Sequence, residues 1–186
     1  MKWTFENAKI KGRIVLTDSL HEDPDLLKDK TLYKFIWVDS GEVELDIDHQ
    51  HVVLKKEQLV PLSHLHHLEF LRIEGKCYAL MFNGNFYCIH GNDHEVSCNG
   101  LLFHGSSHVL TFVLSEDERR KIDTLTRIMQ EEFLSTDHLQ ERCSGTVETV
   151  YHIMYANSGR PAGSCSGEQP SVRDDPQILC LGRYLF

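Results

Sequence analysis

A mainly β fold, a small barrel followed by one amphipathic helix, is the architecture this sequence predicts. From about residue 30 to 114, short strand-like runs recur every ~8–12 residues with turn-forming residues between them, as in sandwiches and small barrels. At Ser115 the apolar period changes to that of a helix. From Cys143 to Phe186 no sustained period of either kind is expected, and the tail reads as irregular.

Taken in order, Thr31, Tyr33, Phe35 and Trp37 alternate with Leu32, Lys34, Ile36 and Val38 in a run rich in aromatic and β-branched residues. Ser40-Gly41 is read as a turn after it. Val43, Leu45 and Ile47 then alternate with Glu42, Glu44, Asp46 and Asp48, the pattern of a strand with one wet face. Asp48-His49-Gln50 is the expected hairpin tip, and His51–Leu54 the return. After the polar turn at Lys55–Gln58 comes Leu59-Val60-Pro61-Leu62. His67–Ile73 alternates again, with a turn expected at Glu74-Gly75-Lys76. Cys77–Phe82 is continuously apolar, which predicts burial on both faces. His108–Leu114 closes the β section. Ser115 with Glu118 three residues on matches a capping box, and Ile122, Leu125, Ile128, Met129 and Phe133 recur at helical spacing to about residue 133.

The chain has 186 residues, enough for one ordinary domain with something small attached, and a formal net charge of −9. Nucleic-acid binding leans on clustered Lys and Arg. The densest basic stretch here, Arg119-Arg120-Lys121, follows Glu116-Asp117-Glu118 and reads as a solvated helix face. The chain is therefore expected not to bind DNA by itself. The apolar runs are too short to span a membrane, and the start lacks the apolar core of a signal peptide, which points to the cytoplasm. In that compartment the six cysteines are expected to stay reduced.

The order of these pieces resembles the N-terminal sensor domain of AraC-family transcription regulators, over roughly residues 5 to 142. The resemblance rests on Phe35-Ile36-Trp37-Val38-Asp39-Ser40-Gly41, the hairpin Leu45–His49, the pre-Pro strand Gln58–Leu62 and the His-rich return His64–Glu69. Leu80–Cys88, Leu101–His108 and the acidic helix at Glu116–Phe133 continue it. It implies a cupin-like barrel (jelly roll, or double-stranded β-helix) over about 5–114 and a dimerisation helix over about 115–133, together a domain spanning 1–142. The implied function is to sense a small-molecule effector and to pair two copies, with no enzymatic activity. The family's second dimerisation helix and DNA-reading head are expected to be missing. Read one nucleotide on, codons allowed by Val147–Ala156 and Asp174–Leu181 give family-like wording, so residues 143–186 are expected to be unstructured or the product of a shifted frame.

Apolar walls with a few polar groups characterise small-molecule sites. Tyr33, Phe35 and Trp37 share a parity and are the expected wall of an effector pocket, with His67, Glu69 and Tyr78 as its polar members. The helix residues Ile122, Leu125, Ile128, Met129 and Phe133 are the expected homodimer contact. Catalytic cupins hold a divalent metal with imidazoles and a carboxylate. His64, His66, His67 and Glu69 are the residues from which such a site would be built, but their spacing departs from that pattern and no metal or cofactor is assigned. Cys88, His90, His94 and Cys98 form a second cluster whose spacing matches no familiar zinc module. No P-loop, dinucleotide fingerprint or nucleophile elbow is present. A stand-alone cupin metalloenzyme of isomerase or oxygenase type is the alternative reading.

Overall fold

Two 15-residue strands dominate the fold. The computed structural model describes residues 1–87, 109–134 and 139–156. Its strands are β1 (Lys2–Asn7), β2 (Gly12–Thr17), β3 (Tyr33–Ile47), β4 (Gln50–Lys55), β5 (Gln58–Leu62), β6 (Leu68–Phe82) and β7 (Phe112–Val113). Its helices are α1 (Pro24–Lys28), α2 (Glu116–Glu132) and α3 (Leu139–Ala156), with a 3₁₀ turn at Leu20–Glu22. The strands make one antiparallel sheet in the order β1-β2-β6-β3-β5-β7, and β4 pairs with the far half of β3.

β3 and β6 pair along their whole length, from Tyr33 opposite Phe82 to Ile47 opposite Leu68. Ser40-Gly41 and Glu74-Gly75-Lys76, expected as two chain-reversing turns, instead lie opposite one another inside this ribbon, with Gly41 facing Gly75. Both glycines have positive φ (75° and 121°), and the register slips between Val38 and Ser40. A Cβ on Gly41 would sit 1.8 Å from the Glu74 carbonyl oxygen, and one on Gly75 would sit 2.0 Å from that of Ser40. The glycines therefore mark a kink that lets both strands bend without separating.

The bend gives the near half of the sheet two buried faces. One carries Ile14, Leu16, Tyr33, Phe35, Trp37, Leu80 and Phe82, and packs with Ile122 and Met129 of α2 and with Cys143, Val147, Val150 and Met154 of α3. The other carries Val15, Ile36, Val38, Ala79 and Met81, in one cluster with Val43, Leu45, Ile47, Leu54 and Leu68 from beyond the bend. Leu20, Leu26 and Leu32 close that inner cluster. The structure is mainly β with a few helices, as expected, and its sheet is an open antiparallel one.

The hairpin tip falls where expected. Asp48 and His49 form a two-residue loop, both with positive φ (51° and 65°), the conformation that suits the twist of the flanking strands. The Asp48 carboxylate accepts from the His67 amide (2.8 Å), which ties the tip to the start of β6. The capping box also forms: Ser115 Oγ accepts from the Glu118 amide, and Glu118 Oε2 accepts from the Ser115 amide at 2.7 Å.

The tail needs a correction. Residues 143–156 are helical rather than irregular, because Cys143, Val147, Val150 and Met154, spaced four, three and four apart, make a stripe that packs on the sheet beside α2. A second helix follows α2 after all. Residues 157–186 lie outside the described residues.

Candidate functional site

Strand parity alone does not say which face of a sheet looks inward, and here it matters. Tyr33, Phe35 and Trp37 do share a face, but it is the one covered by α2 and α3. Tyr33 stacks on Phe82 (centroids 5.7 Å apart) and Trp37 on Tyr78 (5.6 Å), so these aromatics are packing between sheet and helices rather than the wall of an inner pocket. Tyr78 is half-buried there, its hydroxyl 2.6 Å from Lys76 Nζ.

His67 and Glu69 share a face too, as two residues apart on a strand should. They pair at 3.0 Å on the wet outer face of the far ribbon, with side chains 59% and 60% exposed, while Leu68 between them points in. The expectation that they point into the cavity is therefore corrected: the alternation places the leucine inside. His66 Nδ1 accepts from the Ser63 amide (3.0 Å), and His64 meets the edge of the Tyr33 ring. Among the described residues no group of three or more His, Cys, Asp or Glu is placed to hold a metal ion. The cluster Cys88, His90, His94, Cys98 lies outside the described residues.

The inner face also carries a charged group, which strand alternation alone does not mark. Lys34 sits between Tyr33 and Phe35 with the parity of Ile36 and Val38, so its side chain enters the inner layer. Its strand neighbours are Met81 and Leu62. It is 2% exposed. Nζ donates to the carbonyl oxygens of Asp29 and Leu32, both at 3.2 Å, and no carboxylate of the described residues comes within ion-pair distance. An ammonium has three donors and a charge that is costly to bury without a partner. Burial accordingly holds the Lys34 pKa below that of an ordinary lysine, opposed only in part by Asp29.

Around Lys34 the inner face has further polar members at the β1–β2 edge. Arg13 has the parity of Val15 and reaches the Asp29 carboxylate (3.0 Å). Asp29 Oδ1 also accepts from the Thr31 amide and hydroxyl (2.8 and 2.6 Å), which fixes the segment Asp29–Leu32 over Lys34. Asn83 anchors Arg13 in turn, accepting from its amide at 3.0 Å. Four residues from Lys34 along the same face of the ribbon, Val38 faces Cys77, whose thiol burial pushes up to about 11. It is uncharged at neutral pH and behaves as a small apolar side chain.

The expected dimer helix is divided by the fold. Ile122 and Met129 are buried in the chain's own core, and Leu125 and Phe133 pack partly against it, so these are not free contacts for a second copy. Ile128 faces outward, 39% exposed. No helix of the described residues is long and apolar enough to cross a membrane.

Neither a protein-family model nor the sequence of any curated protein matches this chain. Among solved structures it is similar to the AraC-like transcriptional activator CuxR, with a TM-score of 0.41 and 10% identity over 87% of this chain and 54% of that one. The chain thus spans about half the length of that activator.

Proposed function

We propose that this chain is the effector-sensing and dimerisation part of an AraC-type transcription regulator, and that Lys34 holds an anionic group of the effector on the inner face of the sheet. The carrying observation is the Lys34 ammonium, 2% exposed among apolar side chains, with no carboxylate of the described residues within ion-pair distance. A residue placed only for stability would not be a lysine there, because an apolar side chain of similar volume costs less to bury. An organic anion supplies the missing charge, and the surrounding Val15, Leu62 and Met81 suit an apolar body attached to it. The regulator class is supported by the sequence resemblance over residues 5–142. In such a regulator a separate domain reads DNA, so this chain acts through its effector and a second copy of itself.

The test is thermal unfolding of the full chain with small organic anions, such as benzoate, each beside a neutral isostere, such as benzamide. A ligand at 100 times its Kd adds about 2.7 kcal/mol to stability, which raises Tm by roughly 5–10 °C in a protein of this size. At least one anion is expected to do this, its isostere is not, and Lys34→Met should remove the response. Equal stabilisation by anion and isostere, or a response that survives in Lys34→Met, would contradict the proposal.

A further inference from the structure

We propose that Asp29 is a resident stand-in for the effector's anionic group, and that the strap Asp29–Leu32 is displaced when that group takes its place between Arg13 and Lys34. This rests on the reading of Lys34 given above and adds to it a second cation and a built-in competitor.

Arg13 and Lys34 lie on the same face in neighbouring rows: Val15 faces Met81, Met81 faces Lys34, and Arg13 is one inward-facing step along β2 from Val15. Asp29 bridges them with two different groups. Its carboxylate is 3.0 Å from an Arg13 terminal nitrogen, and its carbonyl oxygen is 3.2 Å from Lys34 Nζ. The carboxylate thus pairs directly with the arginine, while the ammonium's hydrogen bonds go to carbonyl oxygens and the Asp29 charge reaches it only from beyond ion-pair distance. Arg13 also has a second carboxylate, from Glu6, beside it. Its buried Nε lies 3.1 Å from the Glu6 carboxylate on β1 but makes no hydrogen bond.

Access follows the same gradient. The Arg13 and Asp29 side chains are 29% and 19% exposed, whereas Lys34 is sealed beneath them. An incoming anion therefore meets the arginine first, whose planar fork fits a carboxylate or phosphate through two parallel hydrogen bonds. Asp29 holds its own strap through Thr31, so losing Arg13 loosens that end of the segment and takes the Asp29 carbonyl oxygen off Lys34, with Leu32 anchoring the other end in the core. The occupied and empty states then differ in the position of the strap, which is what a sensor must convert into a signal.

The experiment is calorimetric titration of the full chain with benzoate, in the parent and in Asp29→Asn, Asp29→Glu, Arg13→Gln and the double variant D29N/R13Q, each checked for folding by its urea midpoint. Neutralising the competitor should tighten benzoate binding about tenfold. Asp29→Glu, which keeps the charge, should bind as the parent does. With Arg13→Gln binding should weaken, and adding Asp29→Asn should then change nothing. If Asp29→Asn binds no tighter than the parent while Lys34→Met still abolishes binding, the competitor is refuted and the lysine site stands. A gain from Asp29→Asn that persists without Arg13 also overturns it. If benzoate binds neither the parent nor Asp29→Asn, the competitor falls, and the lysine site is decided by the other anions of the thermal series.

Discussion

Lys34 shows how one side chain can be placed against the stability of its own fold. Its charge is buried, its only acceptors among the described residues are the carbonyl oxygens of Asp29 and Leu32, and desolvation outweighs the help from Asp29. Lys34→Met should therefore raise stability by about 1 kcal/mol at pH 7, the gain from removing a buried charge less the loss at two carbonyls. The pH dependence has a definite sign. The folded-state pKa is depressed, so below the ordinary lysine value of about 10.4 the unfolded chain binds more protons at this position. Parent stability rises with pH through that window, and the gap to Lys34→Met narrows. Urea midpoints at pH 7 and pH 9.5 test both points; a variant that is less stable at both would mean that the ammonium is well compensated. Stability given up at one residue is commonly the mark of a working site.

Among the elements, the kinked ribbon of β3 and β6 is the decisive one. Gly41→Ala should cost roughly 3 kcal/mol or more, because the new Cβ falls on the Glu74 carbonyl and the residue keeps positive φ. Exposed Gly84, with nothing near its Cβ position, is the control and should tolerate alanine within about 1 kcal/mol. Much of this ribbon was legible in the residues: the alternation at Val43–Asp48, the doubly buried Cys77–Phe82 and the tip at Asp48-His49 all fall where the pattern puts them. What misled was the glycine in Ser40-Gly41 and Glu74-Gly75, since a positive φ serves a kink within paired strands as well as a turn between them. The same limit hid the site. Tyr33 to Val38 are all buried, so alternation separates two faces without saying which is inner, and nothing in it singles out Lys34. α3 was missed for another reason. Thr146, Val147, Thr149, Val150 and Gly145 are poor helix formers, yet the spacing of Cys143, Val147, Val150 and Met154 carried the signal. β1 was readable too, in the alternation of Trp3 and Phe5 with Lys2, Thr4 and Glu6.

At the scale of the whole molecule, the sheet separates two tasks. Its inner layer holds the lysine under the Asp29–Leu32 strap, and its outer layer seats α2 and α3. The proposed strap movement would reach the helices through β3, where Lys34 is flanked by Tyr33 and Phe35 of the helix-bearing face. If α2 also pairs two copies, its outward residue should matter and its inward one should matter differently. Ile128→Asp should lower the molar mass in light scattering with the thermal transition almost unchanged, whereas Met129→Asp, which buries an unpaired carboxylate, should unfold the chain. A dimer that survives Ile128→Asp would move the contact off this helix. Whether Lys34 is a buried ammonium that takes up an anion is reported directly by its ε-carbon resonance. In a pH titration of the full chain followed by carbon NMR, with and without saturating organic anion, Lys34 should titrate below the other lysines when empty and move upward when the anion is bound. A Lys34 signal that titrates with the surface lysines and ignores every anion offered would rule out an anion site at this lysine.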